Sequence, residues 1–125
     1  MKKILIIEDE PILSDTIKDE LEDSEVEVIQ AFNGEEGLKM AQETIPDIIL
    51  LDIVMPKLNG IETLKKLKAD PNPTVKNIPV VILTVHGDLK KISNTIELGA
   101  KAYFIKDQQS LSEITKTIKD ILHIS

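Results

Sequence analysis

The 125-residue sequence contains no cysteine, no arginine and no tryptophan, and these absences exclude several kinds of site. Without cysteine there is no disulfide, no thiolate zinc site and no thiol nucleophile, which agrees with a reducing compartment. All 15 basic residues are lysines, so the planar guanidinium that binds phosphate or guanine through two hydrogen bonds is missing. With a formal net charge of -7, the composition argues against direct nucleic-acid binding.

Long hydrophobic runs are also missing, since no apolar segment approaches the roughly 20 residues that a membrane-spanning helix needs. The N-terminal MKKILIIEDE resembles a signal peptide in its lysines and apolar run, but the run is short and ends in acids, which predicts a first strand instead. We therefore expect a cytoplasmic protein without membrane insertion. With 42% hydrophobic and 2% aromatic residues, residues 1–125 are expected to form a single domain with an aliphatic core.

Short apolar segments alternate with segments of helical periodicity. The predicted strands are ILII (4–7), VEVIQA (26–31), IILL (48–51), VVIL (80–83) and YFI (103–105). Apolar residues at helical spacing predict five helices, marked by Ile12, Leu13, Ile17 and Leu21; Leu38 and Ala41; Ile61, Leu64 and Leu67; Ile92, Ile96 and Leu98; and Leu111, Ile114, Ile118, Ile121 and Leu122. The last helix also has a capping box, Ser110 with Glu113, and the proline-rich segment 68–79 is expected to be a surface insertion.

Strands that alternate with helices predict an α/β fold with a parallel sheet, and strands that are apolar on both faces predict helices on both sides. Right-handed connections then favour a doubly wound, flavodoxin-like five-stranded sheet in the order 2-1-3-4-5 with five helices. In such sheets the ligand site lies beyond the carboxyl ends of the strands. The residues at these strand ends are therefore the candidates for function.

Complementary polar residues occupy the predicted strand ends. They are Glu8, Asp9 and Glu10 after the first strand, Asp52 at the end of the third, Thr84 at the end of the fourth and Lys106 after the fifth. If the first and third strands are neighbours, Glu8, Asp9 and Asp52 meet in one cleft and repel one another. A lysine and a divalent cation that prefers oxygen ligands, such as Mg²⁺, would compensate this charge.

A carboxylate held between a cation, an ammonium group and a hydroxyl is arranged to attack phosphorus. A bound metal and Lys106 would neutralise the incoming phosphoryl oxygens, and Thr84 would donate a hydrogen bond to one of them. Asp52 could then form an aspartyl phosphate. Each residue also has an ordinary structural interpretation, with Glu8 and Asp9 as helix caps, Thr84 as a strand-end hydroxyl and Lys106 as a solvated side chain.

Four motifs resemble those of the receiver domain of two-component response regulators, in its single-domain, chemotaxis-regulator-like form. ILIIEDEP resembles the family's first strand and acidic pair, and PDIILLDIVMPKLNGIE its phosphoacceptor strand and loop. PVVILT resembles the fourth strand, and GAKAYFIKD the fifth. The similarity covers essentially the whole chain.

The resemblance implies that Asp52 accepts a phosphoryl group from a histidine kinase or a histidine phosphotransfer protein. It implies a Mg²⁺ ion held by Glu8, Asp9, Asp52 and the backbone carbonyl of Val54. Thr84 and Lys106 match the hydroxyl and the lysine that contact the phosphoryl group, and Tyr103 matches the aromatic residue that turns inward in the switched state. Phosphorylation would then shift a surface that binds a downstream protein, with the domain a monomer or a weak phosphorylation-dependent dimer.

Two residues depart from the family pattern. Asp107 follows Lys106 where the family usually has a proline, and Val85 follows Thr84 where a small residue is common. These departures motivate an alternative function, a degenerate receiver that acts as a non-phosphorylated protein-binding adaptor. A phosphatase is disfavoured because Val54 replaces the general acid that such enzymes use, and a flavin or nucleotide carrier because EDEPILS puts acids where an anion would dock.

Overall fold

The computed structural model describes residues 1–53, 59–84, 89–105 and 110–124, with residues 89–91 described by their backbone alone. The strands are β1 (Lys2–Ile7), β2 (Val26–Ala31), β3 (Ile48–Asp52), β4 (Val80–Thr84) and β5 (Ala102–Ile105). The helices are α1 (Pro11–Leu21), α2 (Gly34–Thr44), α3 (Gly60–Lys68), α4 (Pro73–Lys76), α5 (Leu89–Glu97) and α6 (Leu111–Ile121). All four strand pairings are parallel, in the order β2-β1-β3-β4-β5, which confirms the predicted doubly wound sheet.

The core lies on both faces of the sheet because its central strands are apolar on both sides. All five residues of β3 and all five of β4 are buried. Alternate residues of β3 point to opposite faces, so Ile49 and Leu51 join the cluster that includes α3, while Ile48 and Leu50 join the cluster that includes α1 and α6. Helices therefore have to cover both faces, as the apolar runs predicted.

The described residues contain six helices, so the prediction of five was wrong by one short helix. The additional helix, α4, lies in the proline-rich segment that was expected to be a surface insertion. Asn72 accepts a hydrogen bond from the Thr74 N–H at 3.0 Å, and Pro73 occupies the first turn, where its missing N–H costs nothing. Val75 and Ile78 are only 2% and 4% exposed, so this segment contributes to the core.

Lys68 anchors the same segment to α3. Its ammonium group donates hydrogen bonds to the carbonyls of Lys76 at 3.3 Å and of Ile78 at 3.1 Å. Partial burial of this ammonium group lowers the pKa of Lys68 below its usual range. A lysine that ends one helix thus satisfies backbone acceptors at the end of the next.

Two apolar residues assigned to helical core faces are instead exposed. Ile12 and Leu13 are adjacent and therefore about 100° apart around the helix axis, so both cannot face the sheet. Ile12 is exposed and Leu13 is half-buried. In α5 the interior position is taken by Thr95, which is fully buried and donates to the Ile92 carbonyl at 2.7 Å, and Ile96 is exposed. Within the described residues no helix is long and apolar enough to cross a membrane.

Candidate functional site

The register of β1 and β3 brings two acidic residues side by side. Ile7 of β1 pairs with Leu51 of β3, so the next residues, Glu8 and Asp52, are neighbours at the carboxyl ends of these strands. Asp9 follows in the connection to α1. Glu8, Asp9 and Asp52 each offer a carboxylate oxygen, and these oxygens lie within 4.8 Å of one another. The predicted meeting of these three acids is confirmed.

The cluster is largely withdrawn from solvent. Glu8 is 1% exposed and Asp52 is 3% exposed, whereas Asp9 is half-buried. Buried carboxylates of like charge are unfavourable unless a cation or hydrogen-bond donors balance them. These acids lie at the end of the fully buried β3 and after the four buried residues that end β1, so their charge requires compensation at this site.

The backbone holds Glu8 rigidly at the rim of the sheet. Its N–H donates to the Ala31 carbonyl at 3.0 Å, which extends the β1–β2 pairing by one residue. Its Oε2 accepts a hydrogen bond from the Glu10 N–H at 3.1 Å, which orders the turn into α1. The helix N-cap is Glu10, whose side chain makes no capping bond, so Glu8 and Asp9 do not serve as helix caps.

The chain beyond Asp52 is positioned by β4 and α3. The Ile53 N–H donates to the Leu83 carbonyl at 3.2 Å, and the Ile53 carbonyl accepts from the Gly60 N–H at 2.8 Å. The first residue of α3 therefore sits directly against the end of the acid-bearing strand. Asn59 caps this helix by accepting from the Glu62 N–H at 2.9 Å.

Gly60 is a residue whose role the sequence interpretation missed. A Cβ atom at this position would overlap the Asp52 carbonyl oxygen and would lie 2.5 Å from the Ile53 Cα, both of which belong to the backbone. Only glycine allows α3 to approach the strand this closely. A glycine after an asparagine that can cap a helix was the available signal for a close contact.

Thr84 ends β4 beside this cluster. It is 6% exposed, and its preceding residue, Leu83, pairs with Asp52. Thr84 itself pairs with Ile105, the last residue of β5. The hydroxyl-bearing residue thus lies at the same end of the sheet as the acids, as predicted.

Of the remaining candidate site residues, the structure describes only Tyr103. Tyr103 of β5 pairs with Ile82 and is 43% exposed, so in this structure its ring faces outward. The other residues on which the sequence interpretation depended lie outside the described residues; they are Lys106, Val54, Val85 and Asp107. Lys106 directly follows Ile105 in the sequence, where β5 ends at the rim that carries the acids.

The donor set fits a hard divalent cation. Three carboxylates offer only oxygen ligands, which Mg²⁺ prefers, and no cysteine exists in the chain to favour a softer metal. One half-buried acid beside two buried ones leaves a solvent-facing side, which suits an ion that retains several water ligands. The oxygen ligands of Glu8, Asp9 and Asp52 therefore suit a hard divalent cation such as Mg²⁺.

Residues 4–119 match the family model for the response regulator receiver domain. The chain belongs to this family. Its five-stranded fold and acidic cluster agree with that assignment, and the resemblance noted in the four sequence motifs is confirmed. The receiver domain is a signalling module of two-component systems.

Similar proteins include a transcriptional regulatory protein, a chemotaxis protein and a phytochrome response regulator. The alkaline phosphatase synthesis transcriptional regulatory protein PhoP of Bacillus subtilis is 37% identical over 124 residues, which are 99% of this chain and 50% of PhoP. The chemotaxis protein CheY4 of Vibrio cholerae has a TM-score of 0.86 at 26% identity, with 97% of this chain and 98% of CheY4 covered. The phosphorylated cyanobacterial phytochrome response regulator RcpA has a TM-score of 0.77 at 33% identity, with 96% and 90% covered. The chain spans about half the length of the curated relatives that it matches.

Proposed function

We propose that this receiver domain is switched by transfer of a phosphoryl group to Asp52 from a phosphohistidine of a histidine kinase or histidine phosphotransfer protein. The observation that carries this proposal is the meeting of three carboxylates within 4.8 Å, two of them buried, where the two central strands end. A purely structural cluster of this kind would cost stability without return. We therefore infer that a cation and an anionic phosphoryl group bind together at this site.

Glu8, Asp9, Asp52 and the backbone carbonyl of Val54 would hold the Mg²⁺ ion. When bound, the ion neutralises charge on the phosphoryl oxygens during transfer. Glu8 is fixed by its hydrogen bonds to Ala31 and Glu10, so it provides a rigid side of the site. Asp9 is the more accessible acid and is the expected direct ligand.

In the transfer step, a carboxylate oxygen of Asp52 forms a bond to phosphorus while the phosphorus–nitrogen bond of the donor's phosphohistidine breaks. The departing imidazole takes a proton from solvent, and Asp52 becomes an aspartyl phosphate. Thr84 would donate a hydrogen bond to one phosphoryl oxygen, and Lys106 would contribute its ammonium charge to another. The chain then assists only its own phosphorylation and dephosphorylation and turns over no separate substrate.

Movement of Thr84 toward the phosphoryl group would be read out through Tyr103. Thr84 pairs with Ile105 and Tyr103 is two residues earlier on the same edge strand. The exposure of Tyr103 supports an outward position of its ring before phosphorylation, from which the ring would rotate inward. Phosphorylation would shift the population of this ring and with it the surface that a downstream protein contacts.

The downstream partner is proposed to be a protein or protein segment. Several relatives, including CiaR of Streptococcus pneumoniae, are named transcriptional regulatory proteins and are about twice as long as the matched region. The receiver itself has no arginine and a net charge of -7, so we propose that it does not contact nucleic acid directly. It would act as a monomer or a weak phosphorylation-dependent dimer in the cytoplasm.

Beryllofluoride, a phosphoryl mimic, provides the test. Fluorine NMR of the domain should show bound beryllofluoride only when Mg²⁺ is present, and Asp52→Ala should abolish it. Asp19→Ala removes an exposed carboxylate of α1 and should bind normally, which controls for the loss of one negative charge. Binding that survives Asp52→Ala would refute the proposal.

A domain that binds no beryllofluoride even with Mg²⁺ would favour the alternative function. That alternative is a degenerate receiver, motivated by Val85 and Asp107, which binds its partner without phosphorylation. Phosphotransfer from candidate histidine kinases, with Asp52→Asn as the control, would then distinguish a receiver that rejects the mimic from one that accepts no phosphoryl group at all.

A further inference from the structure

The outer strand β2 has one side without a neighbouring strand in the five-stranded sheet. In parallel strands, alternate residues direct their backbone groups to opposite sides. The Lys2 N–H donates to the Glu25 carbonyl at 2.9 Å and the Glu8 N–H to the Ala31 carbonyl at 3.0 Å, so the odd-numbered residues of this strand face β1. The even-numbered residues direct their backbone groups outward, along the open edge.

An open edge with free N–H groups is a template for pairing with another strand. Here several outward N–H groups already have acceptors from the same chain. The Val26 N–H donates to the Asp23 carbonyl at 3.4 Å, and the Val26 carbonyl accepts from the Asp23 N–H at 3.3 Å. The Val28 N–H donates to Glu22 Oε2 at 3.1 Å, and the Phe32 N–H, just beyond the strand, donates to Glu36 Oε1 at 3.3 Å.

Both glutamates are positioned by helix ends. Glu22 is the C-cap of α1, and its N–H donates to the Lys18 carbonyl at 2.8 Å. Glu36 lies in the first turn of α2, and its N–H donates to the Asn33 side chain at 2.9 Å. Each carboxylate therefore reaches the edge from a fixed backbone position, one near each end of the strand.

The turn between Glu22 and the strand is also anchored. Asp23 accepts a hydrogen bond from the Glu25 N–H at 2.7 Å, and its second oxygen lies 3.2 Å from the Lys119 ammonium of α6. This arrangement ties the turn to a helix on the same face as α1. The Asp23 backbone and the Glu22 carboxylate, which accept hydrogen bonds at the edge, thus belong to an ordered connection between α1 and β2.

We propose that the Glu22 and Glu36 carboxylates close the β2 edge to strand pairing with a second copy of this chain. They occupy N–H groups that an incoming strand would need, and they place negative charge where two identical edges would meet. Association of this chain with itself must then use a surface other than this edge. The proposal is independent of phosphorylation and of the magnesium site.

The test compares two double variants that remove the same charge. Glu22→Ala/Glu36→Ala removes both edge acceptors. Glu27→Ala/Glu35→Ala removes two exposed glutamates of β2 and α2 for which no hydrogen bond to an edge N–H is present among the described residues. Amide hydrogen exchange measured by NMR and sedimentation equilibrium over a range of concentrations give the readouts.

In the first variant, the amides of Val28 and Phe32 should exchange at least several-fold faster, and the mass should rise with concentration above that of the unmodified chain. The control variant should match the unmodified chain in both measurements. The proposal is overturned if the first variant keeps the same mass at every concentration, whether or not its edge amides exchange faster. It is also overturned if the control self-associates equally, because charge alone would then explain the effect.

Because loss of Glu36 also weakens the start of α2, Glu22→Ala alone serves as a second variant. It leaves the helix start intact and should raise exchange at Val28 while leaving Phe32 unchanged. Unchanged exchange at both amides in this variant would show that the Glu22 carboxylate does not protect the edge.

Discussion

The two ends of the central strands treat charge in opposite ways. At the amino end, the Lys3 N–H donates to Asp47 Oδ2 at 2.8 Å, the Asp47 N–H donates to the Lys3 carbonyl at 2.8 Å, and the Lys3 ammonium donates to the Thr44 carbonyl at 3.1 Å. At the carboxyl end, three carboxylates lie within 4.8 Å of one another. At the amino end, a lysine and an acid thus share hydrogen bonds, whereas at the carboxyl end three acids lie close together.

This difference separates stability from function within a single sheet. The reciprocal hydrogen bonds between Lys3 and Asp47 hold the start of β3 against β1. They also satisfy backbone groups that would otherwise lack a hydrogen-bond partner. The acidic end instead brings three carboxylates together, where the proposed function would place a cation and an anionic phosphoryl group. Substitutions at the two ends should therefore affect stability and ligand binding in different proportions.

The largest effect is expected from Gly60→Ala at the acidic end. The added methyl group would overlap the backbone of Asp52 and Ile53, which cannot move as a side chain can, so unfolding free energy should fall by about 1–3 kcal/mol or more. The shifted strand end should also weaken Mg²⁺ binding. Urea unfolding and calorimetric titration with Mg²⁺ measure the two effects.

Gly37→Ala is the matched control for this substitution. The three atoms nearest to its added methyl group would be Cδ1, Cγ1 and Cγ2 of the buried Ile7, at 2.5–2.9 Å, so this variant should also lose stability. It should lower Mg²⁺ affinity less than Gly60→Ala does, because these contacts are with a side chain and not with the backbone of the acid-bearing strand. Equal loss of affinity in both glycine variants would show that the Gly60 contact has no special role at the site.

Much of this comparison could be predicted from the sequence because strand ends in a parallel sheet fall at a common edge. Asp52 and Thr84 follow uninterrupted apolar runs, and the order of the strands makes Glu8 a neighbour of Asp52. The reciprocal pair at the other end could not be predicted. Asp47 lies in an ordinary Pro-Asp turn, and its contact with Lys3 joins residues that are 44 positions apart.

The short helix α4 and the exposure of Ile96 were missed for a related reason. Proline in a segment predicts a loop, yet Pro73 stands at the one helical position where it is tolerated, after an asparagine cap. Hydrophobic spacing assigned Ile96 to the core, but a threonine can take an interior position when its hydroxyl bonds within the helix, as Thr95 does with Ile92. Patterns of polarity do not report such local hydrogen bonds.

At the amino end, Asp47→Ala should lower stability without affecting the ligand site. Removing the carboxylate leaves the partly buried Lys3 N–H without its acceptor, a loss of about 1–2 kcal/mol. Mg²⁺ affinity should stay unchanged. A fall in Mg²⁺ affinity comparable to that of Gly60→Ala would contradict the separation of the two ends, and Asp19→Ala controls for the lost charge.

At the acidic end, Asp9→Asn should raise stability in the absence of Mg²⁺. Removing one of three neighbouring like charges relieves repulsion on the order of 1 kcal/mol, the Coulomb energy of two charges about 4 Å apart in water. Added Mg²⁺ should stabilise the unmodified chain more than the variant, since only ligand bound to the folded state shifts unfolding. Thermal unfolding with and without Mg²⁺ measures both; a less stable metal-free variant would argue against repulsion in the cluster.

The smallest effect is expected at Asp23, an exposed acid that belongs neither to the Lys3–Asp47 pair nor to the acidic cluster. The hydrogen bond from the Glu25 N–H, followed by that from Lys119, lowers the pKa of Asp23 below its usual range. A carboxyl group with a lowered folded-state pKa stabilises the fold above its unfolded-state pKa and loses that contribution as pH falls through the folded-state pKa. The unfolding free energy of Asp23→Asn should therefore depend less on pH in the acid range, and its difference from the unmodified chain should shrink as pH falls. Lys119→Ala, which keeps the larger Glu25 contribution, should give an intermediate slope, whereas identical acid slopes in all three chains would show that the Asp23 contacts do not persist in solution.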